Sequence, residues 1–225
     1  MSTVLISGAN RGIGLELARQ FATDGWNVIG TAREPGAALG LAGLPNTRVL
    51  PLEVTDAASI GALVTALDGE PIDVLIANAG IAINLNAKPI EVTRDDFLAL
   101  QETNGFAPLA LAAALKPNIL ASERKIATAM SSLMSSIAAN DWGTQYTYRA
   151  SKTALNALWR QLAEAWRTEG ITCTLLRPGL VATEMTGFNG LPVEVSVRGM
   201  KAVIEGLSLP DGGRIIGYDG TDVPW

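Results

Sequence analysis

The chain has 225 residues, 48% of them hydrophobic, and a formal net charge of -5 from 17 basic and 22 acidic side chains. That length and composition supply a sizeable core without a disulfide or metal staple, and an acidic chain without a basic run excludes a nucleic-acid backbone as partner. No histidine is present and Cys173 is the only cysteine, so Ser/His/Asp and Cys/His catalysis and an internal disulfide are excluded, and no metal site is expected. The amino-terminal stretch MSTVLISGAN carries no charged leader, and the longest apolar run, FAPLALAAAL, is too short to cross a bilayer. The expectation is a soluble cytoplasmic protein with no membrane partner.

In chain order, the first strand TVLIS runs into SGANRGIG and then into LELARQFATDG, whose Leu15, Leu17, Ala18 and Phe21 have helical spacing. Strand, glycine turn and helix form a phosphate-site layout: glycines let the backbone approach a pyrophosphate, and the helix start presents unpaired N–H groups to it. The spacing of Gly8, Gly12 and Gly14 is G-x-x-x-G-x-G, which differs from the common G-x-G-x-x-G fingerprint. Further β-rich runs follow at NVIGTA, TRVLPL, DVLIAN, KIATAM, ITCTLL and RIIGY, separated by longer alanine- and leucine-rich segments. This alternation is that of βαβ units. Several runs are apolar on nearly every residue, as strands covered on both faces are. The predicted fold is α/β, a Rossmann-like doubly wound parallel sheet of about seven strands in a three-layer sandwich. With no linker or repeat in sight, residues 1–225 read as a single domain. Cys173, inside ITCTLL, reads as core.

The stretch GTQYTYRASKTALN holds two tyrosines ahead of one lysine. On a helix, Tyr148 and Lys152 are four positions apart and share a face, whereas Tyr146 points elsewhere. A phenol is a poor acid or base at neutral pH, and a nearby ammonium shifts its pKa downward. Tyr148 is therefore the chemical candidate.

Together these residues resemble the short-chain dehydrogenases/reductases, which join a G-x-x-x-G-x-G turn to a later Y-x-x-x-K on a doubly wound sheet. ANAG, Ala77 to Gly80, stands where that family has N-N-A-G; Ser131 and Ser132 end the fifth strand; RPGLVATEM follows the sixth. The tail VRGMKAVIEGL…GRIIGYDGTDVPW resembles more narrowly the C-factor-like and sniffer-type carbonyl reductase branch.

The resemblance implies an oxidoreductase in which Tyr148 passes a proton to or from the oxygen of a small carbonyl or alcohol substrate while a nicotinamide moves a hydride. Lys152 lowers the tyrosine pKa and holds the nicotinamide ribose. A serine stabilises charge on the reacting oxygen. Ser135 has the family's usual interval of thirteen residues to Tyr148, whereas strand placement favours Ser132, which is preferred. Asn104 is the fourth catalytic member. Pro108, lacking an N–H, frees the Asn104 carbonyl of its intrahelical partner and predicts a local kink there.

Cofactor contacts follow from the same resemblance: Gly8, Asn10, Arg11, Gly12, Ile13 and Gly14 in the first turn; Asn78, Ala79 and Gly80 after the fourth strand; Pro178, Gly179, Val181 and Thr183 after the sixth; and Tyr148 and Lys152 themselves. Glu53 and Val54 stand where the family commonly has Asp-Val against the adenine, and Asp56 reads as a helix cap. Ala32 occupies the position of a ribose-binding acid, with Arg33 next to it and Arg11 opposite. That set favours NADP(H), with NAD(H) as the alternative. The short segment after Thr183 predicts an open site, and many relatives pair as homodimers or homotetramers. A second functional class, a cofactor-binding regulatory or signalling protein of the C-factor type, stays in view.

Overall fold

A computed structural model describes residues 1–225. Seven strands are present: β1 Thr3–Ile6, β2 Asn27–Ala32, β3 Thr47–Pro51, β4 Val74–Ala77, β5 Ile126–Met130, β6 Thr172–Arg177 and β7 Ile215–Gly217. All neighbouring pairs are parallel, in the order β3-β2-β1-β4-β5-β6-β7. Eight α-helices connect them: α1 Gly12–Thr23, the short α2 Leu39–Ala42, α3 Ala57–Leu67, α4 Arg94–Leu100, α5 Ala107–Ala114, α6 Lys116–Leu120, α7 Tyr146–Trp166 and α8 Val193–Gly206. No helix is long and apolar enough to cross a membrane.

Strand periodicity of two divides the core between the faces of the sheet. Val4, Ile6, Val28, Val74, Ile76 and Leu176 pack with Leu17, Ala18 and Phe21 of α1 and Val197, Met200 and Ile204 of α8. Leu5, Ile29, Leu75, Ala127, Cys173 and Leu175 point the other way, against Leu63 of α3, Leu111 of α5 and Leu155 and Trp159 of α7. Both sets are buried, which explains strands that are apolar on nearly every residue. Cys173 is fully buried and its thiol is pushed up to about 12, so it is inert core, as expected.

The path from β3 to β4 crosses to the far side of β1, so chain direction across the sheet reverses between β1 and β4. The loops leaving these two strands diverge and open a crevice at their carboxyl ends. Beside it, the helical path from α4 to α5 is interrupted by a π-helical turn, Gln101–Phe106. The Pro108 ring crowds the carbonyl of residue 104 and offers it no N–H, so the backbone widens. The expected kink at Asn104 takes this form. Asp56 caps α3 through a 2.9 Å bond from the Ala58 N–H, as expected.

Candidate active site

After β1 the chain enters a turn in which Gly8 and Gly12 take φ of +64° and +54°. At Gly14 a Cβ would stand 2.3 Å from the Gly8 oxygen and 2.6 Å from Asn78 Nδ2, so only glycine lets α1 start this close to the strand end. The turn is fastened to the loop leaving β4. Ser7 Oγ accepts the N–H groups of Asn78 and Ala79, each at 3.0 Å, while Asn78 Nδ2 donates to the Ser7 and Gly8 oxygens at 3.0 and 3.1 Å. The Asn78 amide is therefore engaged by the turn's backbone, and acts on any cofactor through it. Ser7 was missed by sequence reasoning; its signal was a polar residue closing an otherwise apolar strand. Arg11 is the N-cap of α1 and makes no side-chain cap bond. Asn10, Arg11 and Gly12 are exposed at the rim, with Ile13 half-buried behind them. A bare helix start behind a glycine turn is an anion cradle.

Helix α7 brings Tyr148 and Lys152 together, with Lys152 Nζ 5.9 Å from the Tyr148 ring centroid. Tyr146 lies 42% exposed, its hydroxyl donating to the Gly143 oxygen at 3.2 Å. Lys152 is buried, and its ammonium donates to the Met130 oxygen at the end of β5, at 2.8 Å. Burial lowers the Lys152 pKa to about 8. Burial also raises the phenol of Tyr148, and the Ser132 hydroxyl draws it partly back. This corrects the expected action of Lys152 on the tyrosine: desolvation is the larger effect, and one of the ammonium's three N–H groups is taken by a carbonyl. Tyr148 thus carries its proton at neutral pH.

The serines divide by their partners. Ser132 is half-buried, accepts from the Met134 N–H at 3.1 Å and is the serine that meets Tyr148. Ser135 is 1% exposed, and its hydroxyl donates to the Ser132 oxygen at 2.5 Å. The Ser131 hydroxyl is bonded to Ser135 Oγ at 3.1 Å and to Asn156 Oδ1 at 2.7 Å. Ser135 therefore braces the backbone under Ser132, its hydroxyl taken up by Ser131 and the Ser132 carbonyl. Asn104, fully buried, clamps the loop after β4 by accepting from the Ile81 N–H and donating to the Ile81 oxygen, both at 2.9 Å. It also donates to Ser151 Oγ at 3.1 Å, and Ser151 donates to the Tyr148 oxygen at 2.8 Å. Ser151 was not singled out from sequence, although three residues past Tyr148 it shares that helix face. Gly80 leaves the floor between these groups bare: a Cβ there would lie 3.1 Å from Asn104 Oδ1 and 3.6 Å from Lys152 Nζ.

At the adenosine end, Ala32 is buried, and the Arg33 side chain is 78% exposed with Nη1 4.0 Å from Glu53 Oε2. Glu53 Oε1 accepts from Thr55 N–H at 3.2 Å and Thr55 Oγ1 at 2.9 Å, so the carboxylate turns toward Arg33 and its own loop. Val54 packs against the core cluster. After β6, the Pro178 oxygen accepts from Ser196 Oγ at 2.6 Å, Gly179 takes φ of +83° and Val181 is buried. Thr183 Cγ2 lies 3.6 Å from where a Gly12 Cβ would be, and Arg11 pairs with Glu184, joining this segment to the glycine turn. Beyond it come only one 3-10 turn, Glu184–Thr186, and the start of α8, with Leu180, Met185 and Phe188 exposed.

A cradle without side chains, a bare helix start, two exposed arginines and a buried lysine beside a tyrosine are the parts of a dinucleotide-dependent oxidoreductase. The sequence pattern of the short chain dehydrogenase family matches residues 2–191, and the chain belongs to that family. It is 40% identical over 156 residues to C-signal of Myxococcus xanthus, covering 69% of this chain and 93% of that one. The NADPH-bound carbonyl reductase from chicken fatty liver superposes with a TM-score of 0.92 at 34% identity, over 100% of this chain and 99% of that one. The carbonyl reductase Sniffer of D. melanogaster gives 0.92 at 29% identity, over 100% of both. The branch expected from the sequence is thus the one these relatives occupy.

Proposed function

We propose that the protein is an NADP(H)-dependent reductase of small, reactive carbonyl compounds, with Tyr148 as proton donor. The observation that carries this reading is the meeting of Tyr148, Ser132 and Lys152 at the carboxyl end of β5, beside the glycine turn. Bound NADPH supplies the hydride. The Ser132 hydroxyl donates to the substrate oxygen and stabilises charge that develops there, while the neutral Tyr148 phenol transfers its proton to that oxygen. Lys152, anchored on the Met130 carbonyl, would hold the nicotinamide ribose, and Asn104 fixes the loop after β4 against α7. The exposed edge around Leu180, Met185 and Phe188 excludes water poorly and makes few remote contacts, which supports broad substrate acceptance.

The residues suit NADP(H). The bare turn accepts a pyrophosphate, no acid ends β2, and Arg33 and Arg11 flank the ribose position. Each charge-assisted contact to a 2′-phosphate contributes about 1.5–3 kcal/mol, tenfold or more in affinity. Fluorescence titration at fixed salt tests this: Arg33→Ala weakens NADPH at least tenfold and NADH little, and Ala32→Asp reverses the preference. Equal affinity of the wild type for both cofactors refutes it. A panel of aldehydes, ketones and quinones followed by cofactor absorbance tests the reaction.

The likeness to C-signal favours a second reading, a regulatory protein in which bound cofactor is a signal. Such a protein has less need of the proton donor, so loss of its biological effect in Tyr148→Phe separates the two. The reading includes a cytoplasmic homodimer or homotetramer, supported by the single unpaired cysteine and by exposed Phe97, Leu98 and Phe106 along α4 and the π turn. Light scattering at monomer mass refutes the assembly.

A further inference from the structure

The segment GYDGTDVPW, Gly217–Trp225, takes no part in the chemistry above, yet it touches both loops that flank the reacting groups. The Tyr218 N–H donates to the Arg177 oxygen at 2.9 Å. A Cβ on Gly179 would come within 3.0 Å of the Tyr218 ring, and one on Gly199 within 2.1 Å of the Tyr218 oxygen. Tyr218 is thereby seated between the Pro178–Gly179 turn and α8. The chain then turns at Asp219, whose Oδ1 accepts from Thr221 Oγ1 at 2.6 Å, and runs back along β7. The Val223 N–H donates to the Ile215 oxygen at 2.8 Å, Val223 is buried, and Arg214 grips Asp222 through two bonds of 2.9 Å. This return carries the Trp225 oxygen to the loop between Ser132 and Tyr148, where it accepts from the Ala138 N–H at 2.8 Å and from Ser136 Oγ at 3.4 Å.

The tie continues inward to the serine. Ser136 N–H donates to the Leu133 oxygen at 3.1 Å, and Ser135 N–H to the Ser132 oxygen at 3.1 Å. Between β5 and α7 the only regular element is the 3-10 turn Leu133–Ser135, so the placement of Ser132 depends on such ties. We propose that Tyr218–Trp225 is a clamp, and that Ala138 and Trp225 are positioning residues that hold the Ser132 hydroxyl against Tyr148. The proposal rests on the reading of Ser132 as the serine that meets substrate.

Two perturbations break the same bond from opposite sides: a chain ending at Val223, and Ala138→Pro. Ala138 is exposed and is the second residue of the turn closed by the Asn140 N–H on the Ile137 oxygen at 3.2 Å, a position that accepts proline. Each variant is expected to lower kcat about tenfold with an aldehyde, because a small misplacement of a reacting group is costly. The NADPH dissociation constant stays within twofold, and the double variant is no slower than the worse single one. Without substrate, amide exchange at Ser135 and Ser136 rises at least tenfold in both. Unchanged kcat, multiplying losses or unchanged exchange overturns the clamp. Should the wild type reduce no carbonyl, the functional reading falls, and the exchange comparison alone decides the clamp.

Discussion

Replacing Lys152 with Met isolates the cost of burying a charge under the site. The lysine pKa falls from 10.5 in the unfolded chain to about 8 in the fold, through desolvation. At 1.36 kcal/mol per unit, that opposes folding by about 3 kcal/mol wherever both states are protonated, below pH 8. Between the two pKa values the unfolded state binds more protons, so this contribution to stability rises with pH and is complete above 10.5. The wild type should therefore gain about 1 kcal/mol on Lys152→Met between pH 7 and 9, and about 2–3 kcal/mol by pH 10. Urea unfolding of both proteins at pH 7, 8, 9 and 10 gives the difference, in which groups common to the two cancel. A difference that stays flat across that range refutes the reasoning, whatever the absolute stability of the variant.

Tyr148→Phe should abolish carbonyl reduction with NADPH affinity within twofold, while Tyr146→Phe, whose ring is on the exposed side, keeps most turnover; the reverse pattern in paired steady-state assays sinks the assignment. Ser132→Ala should lower kcat about a hundredfold with little loss of stability. Ser135→Ala should instead cost about 1 kcal/mol in urea unfolding and leave measurable kcat, since its hydroxyl braces a carbonyl. Gly14→Ala places a methyl against the Gly8 oxygen and Asn78; cofactor titration should detect no binding, and retained affinity refutes the cradle.

The sheet was legible because each strand carries its own signal. All seven β-rich runs of the sequence became strands; in the inner ones, residues buried on both faces leave an apolar run that no loop would bear, whereas the edge strand β3 is only partly buried. The glycine turn was legible for a related reason: Gly8, Gly12 and Gly14 occupy positions where backbone conformation or a contact forbids a side chain. Tyr148 was separable from Tyr146 because helix geometry is fixed by spacing alone. The π turn was half legible. Pro108 announces a broken hydrogen bond, but whether the helix kinks or widens depends on packing against α7, where Asn104 and Ser151 meet.

What spacing could not carry was the sign of the electrostatics. Four residues on a helix bring an ammonium near a phenol, and from that alone the phenol should become more acidic. The fold instead buries both groups, and it turns the ammonium onto the Met130 carbonyl, a residue far away in the chain and adjacent only through the β5–α7 packing. Desolvation then moves the two pKa values toward their neutral forms, tyrosine upward and lysine downward. Ser132 and Ser135 are separated by a local contact instead: the partners that occupy Ser135 are Ser131 Oγ and the Ser132 carbonyl, four and three residues back, inside a turn whose shape spacing alone does not give. Residue type and spacing pick out the candidate groups, and burial sets the direction in which each of their pKa values moves. In the proposed reaction, a phenol that holds its proton at neutral pH is matched to giving it to a carbonyl oxygen.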